Sequence, residues 1–242
     1  MSRYYRPTTS SIGYPSWSRA VRMLIITCIV AFALQQFDEI SSGRDTLSRS
    51  FGLVPYLVVH KFYVWQLVTY IFLHGGLLHI LFNMLGLWMF GSDLERLWGA
   101  RKFTTFFFVC GIGAGLLTVL LSPDSPVATI GASGAIYGIL LAFGMLFPDR
   151  IIYWIIFPIR AKYFVLIMGG LAFYSSIAAN GNGIANVAHL GGMLFGLLYL
   201  KGGNIVPSLK WRYDKWQRQR LRRKFDVYYN EKQRKDNDRW RN

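Results

Sequence analysis

The chain has 242 residues, of which 53% are hydrophobic and 17% aromatic, and yet it carries a formal net charge of +15. A soluble domain rarely combines so much apolar side chain with so much charge, whereas a polytopic membrane protein keeps its charges outside the bilayer. The composition therefore excludes an ordinary soluble domain and predicts several membrane spans.

Six apolar runs approach the roughly 20 residues that cross a bilayer core. The sequence therefore predicts an all-α membrane protein with six transmembrane helices, at residues 20–37, 77–89, 103–121, 132–147, 163–179 and 187–200. The second, fourth and sixth runs are shorter than a full span, which is tolerable if they begin beneath the outer surface, where neighbouring protein covers non-helical backbone. The chain then divides into an N-terminal segment (1–19), a membrane domain (20–200) and a basic tail (201–242).

The first run is expected to remain in the mature protein as a span. The N-terminal residues before it are polar and aromatic, and no small-residue cleavage site follows it. A cleavable signal peptide needs such a site, so we expect none here.

A long loop, residues 38–75, joins the first two runs. Its apolar, aromatic stretches are too short to cross a membrane, and Gly52 and Pro55 interrupt them. We expect this loop to lie half-embedded in the membrane interface. The apolar run 151–159, which contains Pro158, is expected to do the same on the opposite side of the membrane.

Lys and Arg are distributed unevenly between the two sides of the predicted bundle. Of 27 such residues, 24 fall near the N-terminus, in the loops around 93–102 and 149–162, or in the tail, and 3 fall on the other side. Because cytoplasmic loops carry an excess of Lys and Arg, we predict that both termini are cytoplasmic.

Residues 201–242 interleave basic with aromatic side chains. Such a tail can lie on an anionic lipid leaflet, or it can be a solvated segment that only enforces topology, and the sequence leaves both interpretations open. No nucleic-acid recognition motif accompanies the charge, so no nucleic-acid partner is expected.

Four side chains with possible chemical roles lie within the apolar runs: His79, Asn83, Ser133 and His189. Polar groups inside spans are costly, so each one marks a candidate functional site. The second, fourth and sixth runs cross in the same direction, so their depths can be compared by counting residues to the next charge. Asn83 and His189 lie about 18 Å from the cytoplasmic charges and Ser133 lies about 24 Å from them. We therefore expect all four in one layer of the outer half of the bilayer.

These residue types suit nucleophilic catalysis. A serine hydroxyl becomes a nucleophile when a base takes its proton, and His189 is the candidate base for Ser133. His79 and Asn83 share one helical face and could bind an oxyanion, together with the backbone N–H of Ser133. Tyr137 shares the face of Ser133 and is expected to pack against the His189 ring. No Asp or Glu lies within any run, so we predict a Ser–His dyad and no metal site.

Each motif alone has a simpler interpretation. Gly131-Ala132-Ser133-Gly134 is more typical of helix packing, and a lone histidine in a span is more typical of a structural or transport residue. Two small-xxx-small pairs accompany the polar residues: Gly134 with Gly138, and Gly192 with Gly196. Because the pairs lie just beneath Ser133 and His189, packing at the glycines would bring these two residues together. The joint pattern favours a catalytic site.

Taken together, the motifs resemble those of the rhomboid intramembrane serine proteases of the bacterial six-span type. The resemblance covers about residues 51–200, and three motifs carry it: His79-Ile-Leu-Phe-Asn83, Gly131-Ala-Ser133-Gly134 with Tyr137, and Ala188-His189-x-x-Gly192-x-x-x-Gly196. It implies that Ser133 is the nucleophile, that His189 is the general base and acid, and that His79, Asn83 and the Ser133 N–H form the oxyanion hole. It also implies that Phe82 is a gate residue between the second and fifth spans, and that the fifth span and loop 180–183 form a mobile gate and cap.

The resemblance implies cleavage of transmembrane protein substrates near their outer ends, through an acyl-enzyme and without a cofactor, in a bacterial inner membrane. The chain has Trp65-Gln66 where the family usually has Trp-Arg, a departure that concerns the polar anchoring of the loop rather than catalysis. Two rival functions are a catalytically silent rhomboid-like protein that binds membrane clients and a small transporter. The intact dyad argues against the first, and the lack of an intramembrane carboxylate or an inverted repeat argues against the second.

Overall fold

A computed structural model describes residues 18–43, 45–154, 157–178 and 184–202. The contacts divide the chain into two compact units, Met1–Tyr199 and Leu200–Asn242. Apart from the last three residues of the final helix, the features below belong to the first. Three helical stretches are long and apolar enough to cross a membrane: Arg19–Ser42, Leu77–Trp98 and Ala100–Leu121. Two shorter apolar helices, Ser133–Leu146 and Ala161–Ile177, accompany them. The protein is therefore a multi-pass, mainly helical membrane protein.

The long helices are joined by short ones in the loops. In chain order the helices are α1 (Arg19–Ser42), α2 (Thr46–Phe51), α3 (Pro55–Lys61), α4 (Gln66–Thr69) with a 3₁₀ turn Tyr70–Phe72, α5 (Leu77–Gly86), α6 (Ser92–Trp98), α7 (Ala100–Leu121), α8 (Ser133–Leu146), α9 (Ala161–Ala178) and α10 (Ile184–Gly202). A π-helical turn, Leu87–Gly91, joins α5 to α6 without a break. A two-stranded antiparallel hairpin, β1 (Ile151–Trp154) and β2 (Phe157–Arg160), lies between α8 and α9.

The second apolar run is longer than the sequence predicted, because the helix continues past residue 89 to Trp98. Charged residues in α6 end the hydropathy signal, but Asp93 and Glu95 have partners outside this helix. The carboxylate of Glu95 accepts hydrogen bonds from the backbone N–H groups of Ala20 and Val21, each at 2.9 Å. Glu95 thereby caps the N-terminus of α1, where a negative charge is stabilising. Asp93 pairs with Arg96 and with Arg150.

The loop between α1 and α5 is anchored by a buried glutamine at the position where the sequence departs from the family pattern. Gln66 is 0% exposed. Its Oε1 accepts the N–H of Val54 at 3.0 Å, and its Nε2 donates to the carbonyl oxygen of Ser50 at 3.2 Å. The neighbouring Trp65 indole donates to the same carbonyl at 3.1 Å. Gln66 therefore provides polar anchoring for this loop through two backbone contacts.

The run 151–159, expected to lie half-embedded in the interface, forms the β1–β2 hairpin. Its β-branched and aromatic residues favour extended backbone, and their alternation leaves Ile152 buried while Ile151 and Tyr153 are exposed. Pro158 is tolerated because each strand of a two-stranded ribbon has an unpaired edge. Hydropathy alone did not distinguish such a ribbon from an interfacial segment.

Candidate active site

Ser133 and His189 are in direct contact, although 56 residues separate them in the chain. Nε2 of His189 lies 2.8 Å from Oγ of Ser133, within the range of a hydrogen bond. Ser133 is the first residue of α8, and His189 lies in the first turns of α10. Both side chains are half-buried. Their contact therefore depends on how closely the two helices approach.

Glycines allow α8 and α10 to approach almost to backbone contact. A Cβ added to Gly138 would lie 2.8 Å from the carbonyl oxygen of Gly192, and one added to Gly192 would overlap the backbone of Gly134. One turn further along, a Cβ on Gly196 would lie 3.3 Å from Cα of Gly138. The two small-xxx-small pairs thus face each other directly beneath the Ser133–His189 contact.

The imidazole of His189 is supported by an aromatic ring. Tyr137, one turn after Ser133 on α8, stacks on His189 with ring centroids 4.2 Å apart and an interplanar angle of 4°. Nδ1 of His189 is buried and has no hydrogen-bond partner among the residues that the structure describes. Within that part of the chain, ring stacking rather than a carboxylate holds this imidazole in place.

The segment leading into Ser133 is held by the loop between α1 and α5. Leu53 and Thr129 exchange two backbone hydrogen bonds, at 2.8 and 2.9 Å. Gly131 then donates its N–H to the carbonyl oxygen of Tyr70 at 2.9 Å and has a φ of +126°, a conformation that favours glycine. The phenol of Tyr70 is buried and donates to the carbonyl of Gly111 on α7 at 2.6 Å. The sequence did not single out Tyr70, because an aromatic residue in an apolar stretch gives no signal of its own.

His79 lies beside the serine. A Cβ added to Gly131 would be 2.8 Å from Nε2 of His79 and 3.8 Å from Oγ of Ser133, so the glycine makes room for both side chains. Nδ1 of His79 accepts the backbone N–H of Gly75 at 3.3 Å. An accepting Nδ1 requires that the proton of the neutral ring be on Nε2. Nε2 is then a hydrogen-bond donor on the Ser133 side of the ring.

Asn83 and Phe82 are placed differently from His79. Asn83 is buried, and its Nδ2 donates to the carbonyl oxygen of His79, four residues earlier, at 2.9 Å. Its amide group is thus held by its own helix. Phe82 is 66% exposed on α5. Loop 180–183, expected to form a cap, lies outside the described residues.

In the described ranges, no group of three or more His, Cys, Asp or Glu residues could hold a metal ion. The site instead combines a hydroxyl, an imidazole in contact with it, and a second imidazole whose donor nitrogen lies nearby. Such a set can carry out nucleophilic acyl transfer.

Comparison with known proteins identifies the family. A model of the rhomboid domain matches residues 61–202, which include His79, Asn83, Ser133 and His189. RHOMBOID-like protein 1 of Arabidopsis thaliana is 32% identical over 170 residues, 69% of this chain and 42% of that protein. Rhomboid protein 1, mitochondrial, of Saccharomyces cerevisiae is 33% identical over 161 residues, 61% of this chain and 45% of that protein.

Rhomboid protease GluP of Bacillus subtilis is 30% identical over 175 residues, 72% of this chain and 32% of that protein. The chain therefore matches less than half the length of each of these three relatives. Many rhomboid proteins are intramembrane serine proteases. Because the rhomboid domain model covers more than half of its residues, this chain belongs to the rhomboid family.

Proposed function

We propose that this protein is an intramembrane serine protease that cleaves transmembrane segments of other proteins with Ser133 as nucleophile and His189 as general base. The observation that carries the proposal is the 2.8 Å distance between Nε2 of His189 and Oγ of Ser133. A catalytic base must lie within hydrogen-bond reach of the proton it removes, and this pair meets that condition. A purely structural serine in a packed helix would not need such a partner.

In the proposed reaction, Oγ of Ser133 attacks the carbonyl carbon of a substrate peptide bond while His189 Nε2 takes the hydroxyl proton. The negative oxygen of the tetrahedral intermediate accepts hydrogen bonds from Nε2–H of His79 and from the backbone N–H of Ser133, which lies in the first turn of α8 and has no intrahelical acceptor. Asn83 adds a third donor when its amide turns from the His79 carbonyl. His189 then protonates the leaving amine, and water releases the acyl group from Ser133.

The proposal includes six spans, both termini in the cytoplasm, and a site in the outer half of a bacterial inner membrane. The distribution of Lys and Arg supports this orientation. In this arrangement residues 20–200 form the membrane domain, with loop 38–75 at the interface, and the basic segments 1–19 and 201–242 face the cytoplasm. Substrates enter past Phe82 and α9, and the exposure of the Phe82 ring is compatible with a gate position.

Cleavage of a transmembrane model substrate by the purified protein tests the proposal. Wild type is compared with Ser133→Ala and His189→Ala, which should reduce cleavage to background. Two control variants remove the same side-chain types elsewhere. Ser92→Ala removes a buried serine on α6 whose hydroxyl has no hydrogen-bond partner in the described part of the chain, and His60→Ala removes a histidine paired with Asp124 in the loops.

Both control variants should cleave at close to the wild-type rate. Cleavage that survives Ser133→Ala would remove the dyad from the mechanism. A folded wild type that binds several transmembrane segments and cleaves none of them would instead identify a catalytically silent rhomboid-like protein that binds membrane clients.

A further inference from the structure

An open, mainly apolar groove lies on a part of the molecule that the proposed reaction does not use. It has a volume of about 820 Å³ and runs between α1 and α7, with Phe195 of α10 against Gly113 at its side. Its floor is one stripe of α7, formed by residues spaced three and four apart: Thr105, Phe108, Ile112 and Leu116. Cys110 and Ala114, the α7 residues that contact the glycines of α8 and α10, do not line it.

The groove has a charged end and an apolar length. Arg19 of α1 and Arg101 of α7 lie at one end, both exposed, and neither forms an ion pair with any residue that the structure describes. The remaining lining is almost entirely apolar and includes Met23, which is 60% exposed. From Arg101 to Leu116 the α7 axis rises about 22 Å. The hydrocarbon part of one leaflet is ~15 Å thick, which is half of the bilayer core. The groove is therefore long enough to hold an acyl chain.

The local field at the arginine end favours an anion. Both α1 and α7 begin there. Because Glu95 caps the N-terminus of α1, the uncompensated positive dipole end is that of α7. Both carboxylate oxygens of Glu95 accept hydrogen bonds from backbone N–H groups of α1. The first turn of α7 has neither an acidic residue nor a side-chain cap. Two arginines and the uncapped N-terminus of α7 thus lie at one end of an apolar groove.

We infer that this groove is a binding site for an anionic phospholipid, with the phosphate between Arg19 and Arg101 and one acyl chain along the α7 stripe. Guanidinium groups match phosphate oxygens in geometry and charge, and basic groups near a membrane surface attract anionic headgroups. A transmembrane helix of another protein would fill the apolar length but would leave both arginines without a counter-ion. Charge complementarity therefore selects a lipid as the occupant.

Lipid binding by the purified full-length chain in detergent micelles tests this inference. The probes are fluorescent phosphatidylglycerol and a phosphatidylcholine with the same acyl chains. Arg19→Gln/Arg101→Gln should weaken phosphatidylglycerol binding about 30-fold and leave phosphatidylcholine binding almost unchanged. The matched control, Arg22→Gln/Lys102→Gln, removes two charges from the same helix ends outside the groove and should weaken binding less than about 3-fold.

A second variant tests the apolar part of the site without altering charge. Val109→Trp places an indole in the groove and should reduce phosphatidylglycerol binding, while the thermal transition measured without added lipid reports whether the protein still folds. Val109→Phe replaces it if the tryptophan variant unfolds. The inference would be overturned if both charge-removing pairs weakened binding equally, or if wild type bound the two lipids with equal affinity. Unchanged phosphatidylglycerol binding after the groove is filled would also overturn it.

Discussion

The ring of Tyr137 lies flat on the imidazole of His189, with centroids 4.2 Å apart and planes within 4° of parallel. Tyr137 and Ser133 are one turn apart on α8, so the same helix presents both the hydroxyl and the ring that stacks on the proposed base. In a serine triad a carboxylate bonded to Nδ1 orients the histidine. Here Nδ1 has no partner within the described ranges, and stacking takes over the orienting role.

Replacing Tyr137 should distinguish the effect of its ring stacking on cleavage from any effect of hydrogen bonding by its phenol. Tyr137→Phe keeps the ring and should retain nearly all cleavage activity, because the proposed role uses the ring face rather than the phenol. Tyr137→Leu removes the stack, which is worth roughly 0.5–1.5 kcal/mol, and should lower kcat about 3- to 10-fold. Steady-state cleavage of a transmembrane substrate provides the measurement. Equal loss in both variants would mean that the hydroxyl, not the ring, matters.

Gly192→Ala should push α8 and α10 apart, because the added Cβ would meet the backbone of Gly134 rather than a movable side chain. We expect a loss of about 1–3 kcal/mol in stability and a larger loss of cleavage, since the Ser133–His189 distance depends on this packing. The matched control is Gly170→Ala on α9, where an added Cβ meets nothing within 4 Å. Thermal unfolding in detergent and substrate cleavage are both measured. Normal activity of Gly192→Ala would show that the helices need not pack this closely.

Asn83→Ala should reduce kcat about 100-fold with little change in KM, because an oxyanion donor acts in the transition state rather than on the bound substrate. In the structure the Asn83 amide donates to the His79 carbonyl, so the proposed oxyanion contact requires the amide to turn. The measurement is kcat and KM for substrate cleavage by wild type and by Asn83→Ala. A variant with normal kcat would leave Asn83 with a structural role only.

His74 should make the fold sensitive to acid. Its Nδ1 lies 3.1 Å from the carbonyl oxygen of Phe72, its Nε2 is buried without a partner in the described part of the chain, and the side chain is 1% exposed. Burial, and secondarily the neighbouring His79, lowers the pKa of His74 from 6.5 to about 4. The unfolded chain therefore binds more protons than the native protein between these pH values, and stability falls as the pH drops from 6.5 to 4.

The contribution of His74 is measured as the difference between wild type and His74→Asn, whose amide can still donate to the Phe72 carbonyl. The stability of wild type relative to His74→Asn should fall by up to about 3 kcal/mol as the pH drops from 6.5 to 4, because only wild type retains this imidazole. Thermal unfolding across that range is the measurement. Parallel pH profiles for the two proteins would contradict the assigned cause.

The polar residues of the site could be singled out from sequence because they stand out against apolar runs. Ser133 and His189 are 56 residues apart in the chain, yet their depth within the runs and the glycine pairs beneath them indicated a common layer. The same reasoning did not foresee how Asn83 is held, because a side chain's local hydrogen bond to its own helix leaves no sequence pattern. Periodicity and polarity predict which face a residue occupies, but not its rotamer.

The supporting contacts were less predictable because their partners lie far away in the chain. Glu95 interrupts a hydrophobic run, and only the fold shows that it caps a helix 75 residues earlier. Gln35 is a polar residue in the first span whose amide links Ser48 to the backbone N–H of His74, and its partners cannot be read from its neighbours. Gln66 stands at a departure from the family pattern, and its two backbone contacts explain how the loop is still anchored.

The most direct test of the dyad is to identify the residue that reacts with a fluorophosphonate, a reagent that modifies activated serines. Peptide mass spectrometry of the labelled wild-type protein should place the adduct on Ser133. Labelling should disappear in Ser133→Ala and fall to background in His189→Ala, because the hydroxyl is a weak nucleophile without its base. An adduct on a different residue, or undiminished labelling of Ser133 in His189→Ala, would contradict the proposed dyad.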